Sequence, residues 1–375
     1  MIYLDCNATT PMEPLVCEAV LKYMTEEFGN AGSRTHEFGL RAKQAVQRAR
    51  DQIAEMVAAK CDEVFFTSGA TESNNIAILG LKTYGEQETK KHIISTQIEH
   101  KAILEPLAAL EKNGFEITLV PVTKGGFVEA ATIKKALRKD TLLVSVMHVN
   151  NETGIVQPIA EIADLLSEHS AYFHVDAAQG FGKDIPPLCH PRIDMISASA
   201  HKIYGPKGVG ALIARRRGYQ KIPLSPLMYG GGQERGLRAG TLPVPLIIGF
   251  GVATELALKY AKKRTQTCRL FRNQVLDALA PFKPIIHGEP DYCLPHVINF
   301  SISGLDSEAA MLALKGVVAF SNGSACTSSS YTASHVLEAM KLSEEEIEGA
   351  LRMSWCHFTE QVDWDEVVRC LSQIL

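Results

Sequence analysis

The chain has 375 residues, 46% of them hydrophobic and 21% charged, with a formal net charge of −4. That length suits two domains, or one large domain carrying a smaller one, with enough apolar residue to bury a sizeable core. The acidic balance argues against a surface that binds nucleic acid directly.

The first residues, "MIYLDCNATTP", read as a short strand and a turn. They lack a charged segment followed by an apolar one, so no signal peptide is expected. No window reaches about 18 uninterrupted apolar residues, so no membrane-spanning helix is expected and the location predicted is cytoplasmic. Ala42, Ala45, Val46, Ala49, Ile53, Met56 and Val57 recur at helical spacing and predict a helix over 36–58. Apolar runs then alternate with helical segments. "EVFFTS" (63–68) precedes "TESNNIAILGLK", and "KHIIST" (91–96) precedes "HKAILEPLAALEKNG". "EITLVPV" precedes "EAATIKKALRKD", and "TLLVSVMHV" (141–149) precedes "PIAEIADLLSEHS". "AYFHVDA" (171–177), "IDMISAS" (193–199) and "GVGALIARR" (208–216) complete the series. Continuous apolar strands separated by helices predict a mostly parallel sheet covered on both faces. The basic run "ARRRG" (214–218) reads as a solvated strand end. A Gly-rich stretch, "YGGGQERGLRAGTLPVP" (229–245), closes a large domain over 12–258. A long helix near 246–280 leads into a smaller α+β domain made of 1–11 and 259–375.

The nine cysteines, Cys6, Cys17, Cys61, Cys189, Cys268, Cys293, Cys326, Cys356 and Cys370, are scattered, with no C-x-x-C. A disulfide framework or a zinc site is not expected, and most of these thiols read as small core residues. Cys326 is the exception. It lies in "SNGSACTSSS" (321–330), a stretch too small and polar for a core, which reads as a flexible exposed loop.

In an open α/β sheet, ligands bind at the carboxyl ends of the strands. After "VFFTS" comes "GATES", where a helix N-terminus with hydroxyls could hold an anion or could simply be an N-cap. His100 follows "KHIIST", in a position that suits a cap as well as a catalyst. Asn150, Asn151 and Glu152 follow "LLVSVMHV", where paired amides bind ligands or make turns. Asp176 ends an apolar strand and needs a partner. Lys202 follows "DMISASA" and could be an amine nucleophile or an ordinary surface lysine. Together they match the needs of pyridoxal phosphate. A lysine forms the Schiff base, an aspartate keeps the pyridine nitrogen protonated, a helix N-terminus holds the phosphate, and His100 could stack on the ring. An NAD site is disfavoured, because no strand is followed by a G-x-G-x-x-G turn.

Eight segments occur in one order: "YLDCNATTP", "FTSGATESNN", "EHKA", "MHVNNETG", "HVDAAQ", "HKIYGPKGVGAL", "GGGQERGLRAGTLPV" and "SNGSACTS". In these the chain resembles the cysteine desulfurases, the NifS/IscS-like branch of the class-V aminotransferases, from residue 3 to about 360. The resemblance implies a fold-type I pyridoxal-phosphate transferase. Its large domain would hold a mostly parallel seven-stranded sheet beside a smaller α+β domain. It also implies a homodimer that converts L-cysteine to L-alanine and leaves the sulfur as a persulfide on Cys326.

Carried over by position, Lys202 is the Schiff-base lysine, Asp176 pairs with the pyridinium, and His100 stacks on the ring and moves a proton. Gln179 bonds the ring hydroxyl, and Asn151 lies near that oxygen or the substrate carboxylate. Ala70, Thr71, Ser199 and His201 hold the phosphate, while Thr241 reaches the phosphate of the other subunit. Arg352, in "ALRMSW", clamps the substrate carboxylate. The sulfur acceptor would be another protein, serving iron–sulfur assembly, tRNA thiolation or, through a partner, DNA phosphorothioation. Four positions depart from the common pattern: Ala200 for glycine, Asn322 for serine, Ala239 for a small hydroxyl residue, and Cys6 for a residue that is often Tyr or Asn. The rival readings are a selenocysteine lyase or cysteine β-lyase on the same fold, and a cofactor-free scaffold.

Overall fold

A computed structural model describes residues 1–322 and 333–375. The first strand, β1 (Ile2–Tyr3), belongs to the C-terminal part of the molecule, discussed below. The alternating apolar runs form the central sheet: β2 (Val64–Thr67), β3 (His92–Thr96), β4 (Glu116–Val120), β5 (Thr141–Met147), β6 (Tyr172–Asp176), β7 (Met195–Ser199) and β8 (Gly210–Ala214). These seven strands lie in the order β2-β8-β7-β6-β5-β3-β4. Every residue of β3, β5 and β7 is buried, as a sheet covered on both faces requires.

Neighbouring residues of one strand serve opposite cores. Ile94, Val144 and Ile213 pack with the helices Pro14–Thr25 and Glu37–Met56. Ile93, Leu143 and Leu212 pack with the helices Ala70–Leu79 and Lys101–Glu111 on the other face.

One strand runs against the rest. β8 is antiparallel to both β7 and β2, which the apolar pattern could not reveal, because direction leaves no trace in periodicity. The reversal puts the start of β8 among the carboxyl ends of its neighbours, with Gly210 level with Thr67 and Ser199. A Cβ on Gly210 would lie 2.5 Å from the Ala198 carbonyl oxygen and 2.6 Å from Gly69 Cα. The missing side chain is what lets the turn after β2 settle onto the sheet edge.

The "ARRRG" run corrects the reading of a solvated strand end. Arg215 is 7% exposed. It donates to the carbonyls of Ile193 at 3.0 Å, His190 at 2.7 Å and Leu188 at 2.8 Å, and also to that of Val57. The guanidinium ties four carbonyls from two stretches of the chain, so its burial is offset by hydrogen bonds.

In the C-terminal part, β9 (Ile285–Ile286), β10 (Val297–Ser301), β12 (Ser321–Asn322) and β13 (Leu351–Ser354) form an antiparallel sheet in the order β12-β13-β10-β9. β11 (Val318–Ala319) pairs in parallel with β1. Its core contains Ile298, Phe300, Leu351, Met353 and the fully buried Trp355, whose Nε1 donates to the Cys268 carbonyl at 3.0 Å. The N-terminal Leu4 belongs to this core.

The helix Val244–Leu279 serves both halves. Val244, Ile247, Phe250 and Ala253 join the core under the large sheet, whereas Cys268, Phe271, Val275 and Leu279 join that of the small one. This helix is long and apolar enough to cross a bilayer by composition; its buried residues are the ones that supply the two cores.

Of the eight described cysteines only Cys6, Cys268 and Cys356 are buried and Cys17 is exposed, so the expectation of mostly core thiols holds for fewer than half. None of the eight is paired in a disulfide. No cluster of metal-ligating side chains occurs among the described residues.

Candidate active site

The carboxyl edge of the sheet opens into a cavity of about 530 Å³. Ten of the residues singled out from sequence line it: Ala70, Thr71, His100, Asn151, Asp176, Gln179, Ser199, His201, Lys202 and Arg352. Thr241 does not; it is exposed and outside this cavity. Cys326 lies outside the described residues.

Asp176 ends β6 at the floor. One carboxylate oxygen accepts from the Ala178 N–H at 2.9 Å and the other from Asn74 Nδ2 at 2.7 Å. Two donors hold the carboxylate in place without neutralising it. Behind it His174, buried between the hydroxyls of Ser145 and Ser197 at 2.9 Å each, is pushed down to about 3 by burial and stays neutral.

Lys202 follows β7 in a turn that includes Ala200. Its Nζ donates to the carbonyls of Asn7 at 2.5 Å and Ala8 at 2.8 Å. The turn is braced by the N-terminal segment. Thr10 donates through N–H and hydroxyl to the His201 carbonyl at 3.1 and 2.9 Å and accepts from the Tyr204 N–H at 2.9 Å. That last bond supports Tyr204 in a left-handed conformation, φ +69°, rare for an aromatic residue. The Ala200 side chain packs into the sheet core and not into the cavity, so its replacement of glycine leaves the cavity wall unaltered.

His100 caps the helix Lys101–Glu111. Its Nδ1 accepts from the Ala102 N–H at 3.0 Å, which leaves the ring proton on Nε2. Burial, with the charge of Lys202 adding to it and Asp176 opposing it, lowers its pKa, so the ring is neutral at physiological pH. His201, with Nδ1 3.2 Å from the Thr9 hydroxyl, is lowered to about 4 by burial and the charges of Lys202, Lys207 and Lys183.

The two asparagines divide their roles. Asn150 makes a turn, its Oδ1 accepting from the N–H groups of Glu152 at 2.9 Å and Thr153 at 3.0 Å. Asn151 lines the cavity, and its carbonyl accepts from Asn7 Nδ2 and Arg352 Nη1, both at 3.0 Å. Arg352 comes from β13, across the cavity from the large sheet. It pairs with Asp5 at 2.7 Å and donates to the Ser321 hydroxyl at 3.2 Å, while its Nε has no partner.

Sequence reasoning missed several contributors. Asn7 was legible only as part of a turn, yet its carbonyl receives both Lys202 and Gln179 Nε2, the latter at 2.8 Å. Asn74 lies one helical turn into "ATESNN", so its reach to Asp176 needs the fold. Glu99 is fully buried beside His100. One of its oxygens accepts from Met147 N–H at 2.9 Å and Thr96 Oγ1 at 2.7 Å, the other has no partner, and burial pushes it up to about 8. At the phosphate-type end, burial pushes Glu72 up but the bonds from Arg238 (2.8 Å) and Ser68 (2.6 Å) outweigh it, and the carboxyl stays below its usual range. Arg238 therefore neutralises an acid at a helix N-terminus that would otherwise repel an anion.

The sequence profile of the Aminotransferase class-V family matches residues 2–367. A human (Homo sapiens) cysteine desulfurase is 43% identical over 380 residues, covering 100% of this chain and 81% of the human protein. The cysteine desulfurase IscS of Vibrio cholerae serotype O1 is 43% identical over 373 residues, covering 99% of this chain and 91% of its own length. Among solved structures, DndA from Streptomyces lividans superposes with a TM-score of 0.84 at 48% identity, over 93% of this chain and 98% of that one.

The chain belongs to the cysteine desulfurase family. A NifS-like protein aligns over 100% of this chain and 98% of its own, with a TM-score of 0.90 at 34% identity. Cysteine desulfurases of this class-V type depend on pyridoxal phosphate, and the cavity fits that group. It offers an anchored carboxylate, a helix N-terminus for a phosphate, an amine at the mouth, and buried polar atoms without partners at Asn7 Oδ1 and Asn74 Oδ1.

Proposed function

We propose that this protein removes the sulfur of L-cysteine, releasing L-alanine and carrying the sulfur as a persulfide on Cys326. The observation that carries the reading is the convergence of Lys202, Asp176, His100 and Arg352 on one cavity.

Bound there, pyridoxal phosphate supplies an electron sink conjugated to the substrate's Cα. Asp176 would keep a proton on the pyridine nitrogen, and Gln179 and Asn151, which line the same cavity, would bind the ring oxygen. The helix start at Ala70 and Thr71, with Ser199 and His201, receives the phosphate. Arg352 takes the substrate carboxylate, pre-oriented by Asp5 and the Asn151 carbonyl. Lys202 would hold the cofactor through its amine and, once that amine is free, would move the Cα proton. His100 would stack on the ring and offer its Nε2 proton. Cys326, as a thiolate, attacks the substrate sulfur: an S–S bond forms, the Cβ–S bond breaks, and its electron pair stays with the carbon fragment, which takes up a proton on the way to alanine. The described residues on either side of the segment that carries Cys326 touch the neighbourhood of the cavity: the Ser321 hydroxyl accepts from Arg352, and His335 Nε2 is 2.9 Å from the carbonyl of Glu99, which precedes His100.

The working unit is a homodimer in this reading. Thr241, exposed and outside its own cavity, is available to the neighbouring subunit's phosphate. The unpaired thiols suit a reducing, cytoplasmic setting, and the acidic balance suits an acceptor protein in preference to nucleic acid or a membrane.

The test is turnover of L-cysteine by the purified, cofactor-loaded protein, followed by mass analysis of the Cys326 peptide. Alanine and a Cys326 persulfide are expected, and Cys326→Ala loses the persulfide and its transfer. A Cys326→Ala protein that still releases pyruvate and sulfide at the full rate would establish a β-lyase instead.

A further inference from the structure

We propose that Cys6 and Cys356 are an oxidisable dithiol, closed to a disulfide by a hydroperoxide that enters the cavity beside them. The inference is independent of the proposed reaction. Cys6 follows β1 and Cys356 follows β13, and these two chain segments are laced together. Cys6 N–H donates to the Ser354 carbonyl at 3.0 Å, and Ser354 N–H donates to the Leu4 carbonyl at 2.8 Å. The two thiols, with Tyr204, form a small buried cluster of their own. An S–S bond would thus join two thiols that share one buried cluster, on segments already tied by backbone hydrogen bonds.

The two sulfurs are not equivalent. Cys356 Sγ accepts from the Thr359 hydroxyl at 3.4 Å. Its pKa is lowered to about 7, first by the bond from Cys6, against burial, with Thr359, Phe358 and the Lys183 charge assisting. The Cys6 thiol is pushed up by its bond to Cys356 and by burial. Cys268 is raised to about 12 by burial, and Cys293 is raised for the same reason. A cavity of about 300 Å³, lined by Met1, Tyr3, Cys6, Cys356, Phe358 and Thr359, leads to the pair. It lies apart from the cavity that holds Lys202.

In the chemistry, the Cys356 thiolate attacks the peroxide, an S–O bond forms, the O–O bond breaks, and water or an alcohol leaves. Cys6 then attacks the sulfenic sulfur. The S–S bond forms, the S–O bond breaks, and the Cys6 proton departs with the oxygen as water. Two electrons pass from the two sulfurs to the peroxide. The cross-link would fasten residue 6 to the strand end that follows Arg352. The adjoining Asn7 supplies the carbonyl on Lys202, and its N–H is held by the Ser354 hydroxyl at 2.9 Å.

The test uses cofactor-loaded Cys326→Ala protein, in which the sulfur-carrying thiol does not compete, and repeats the measurement on the unmodified chain. Stoichiometric hydrogen peroxide is added and unreduced peptides are mapped by mass. A Cys6–Cys356 cross-linked peptide is expected, with Cys268 and Cys293 left reduced. In Cys6→Ser, dimedone should trap a sulfenic acid on Cys356 about tenfold faster than on a thiol of ordinary acidity. In Cys356→Ser, Cys6 should stay unlabelled. Absence of the cross-link while Cys17 or Cys61 oxidises, or labelling of Cys6 in Cys356→Ser at the rate of Cys356, would overturn the assignment.

Discussion

The two walls of the cavity are built on different principles. The large-sheet wall is a mesh. Asp176 is held by Asn74 and by backbone, Lys202 and Gln179 converge on the Asn7 carbonyl, and His100 is fixed as a helix cap. The small-sheet wall contributes one guanidinium, Arg352, held by Asp5, Ser321 and the Asn151 carbonyl. A mesh pre-organises several groups toward a bound ring, and a single fork reads a single carboxylate. Under the proposed function the mesh would bind the cofactor and the fork the substrate, so each wall can be perturbed alone.

The largest effect is expected at Lys202, the amine at the mouth of the mesh. Lys202→Ala should reduce alanine formation by at least about 10³-fold, measured in single turnovers, and a residual rate near the native one would break the assignment. Next is Asp176→Asn, which sets an amide against the Asn74 donor. Cofactor affinity should fall about 10–100-fold, as for loss of a charged, buried hydrogen bond, read by titrating the apo-protein with pyridoxal phosphate. Arg352→Lys tests the other wall. KM for cysteine should rise about tenfold with cofactor affinity unchanged; a parallel loss of cofactor would show that the walls are not separate.

Glu99 adds a pH dependence to the mesh. Its folded value of about 8 exceeds the ordinary 4.5, so between these values the folded chain keeps a proton that the unfolded chain has lost. The stability this supplies is complete below the unfolded value and disappears as pH rises through the folded one, by up to about tenfold in the unfolding constant per pH unit. Glu99→Gln, which mimics the neutral acid, should flatten that slope in urea midpoints collected between about pH 5 and pH 8. An unchanged slope would assign the proton elsewhere. The smallest effect is at the mesh's edge. Arg238→Ala leaves Glu72 unpaired at the helix start and should weaken phosphate-dependent cofactor binding by about two- to fivefold, with Glu72→Gln in the same background restoring it.

The apolar runs and strand-end residues were legible because burial on both faces leaves a continuous signature and because chemistry sits where strands stop. "AYFHVDA" thus located both β6 and Asp176. The direction of β8 was not legible, nor was the burial of Arg215, whose partners are carbonyls from two separate stretches, Val57 and residues 188–193. Asn7, Asn74 and Glu99 escaped for a related reason: an amide or acid that works by touching a residue far along the chain has no local pattern. Asn150 and Asn151 looked alike in sequence, and only the turn closing on Asn150 separates them. In "SNGSACTSSS", read as a loop, Ser321 and Asn322 are strand, paired with Arg352 and Leu351.

The 36-residue helix Val244–Leu279 has a consequence for how the molecule comes apart. At about 1.5 Å per residue it is a beam some 54 Å long, inserted at one end in each hydrophobic core. Neither core can melt without exposing apolar residues on a helix that the other still grips. Heat or urea should therefore dissolve the two halves in one transition, with signals from Trp355 and from the large sheet falling together.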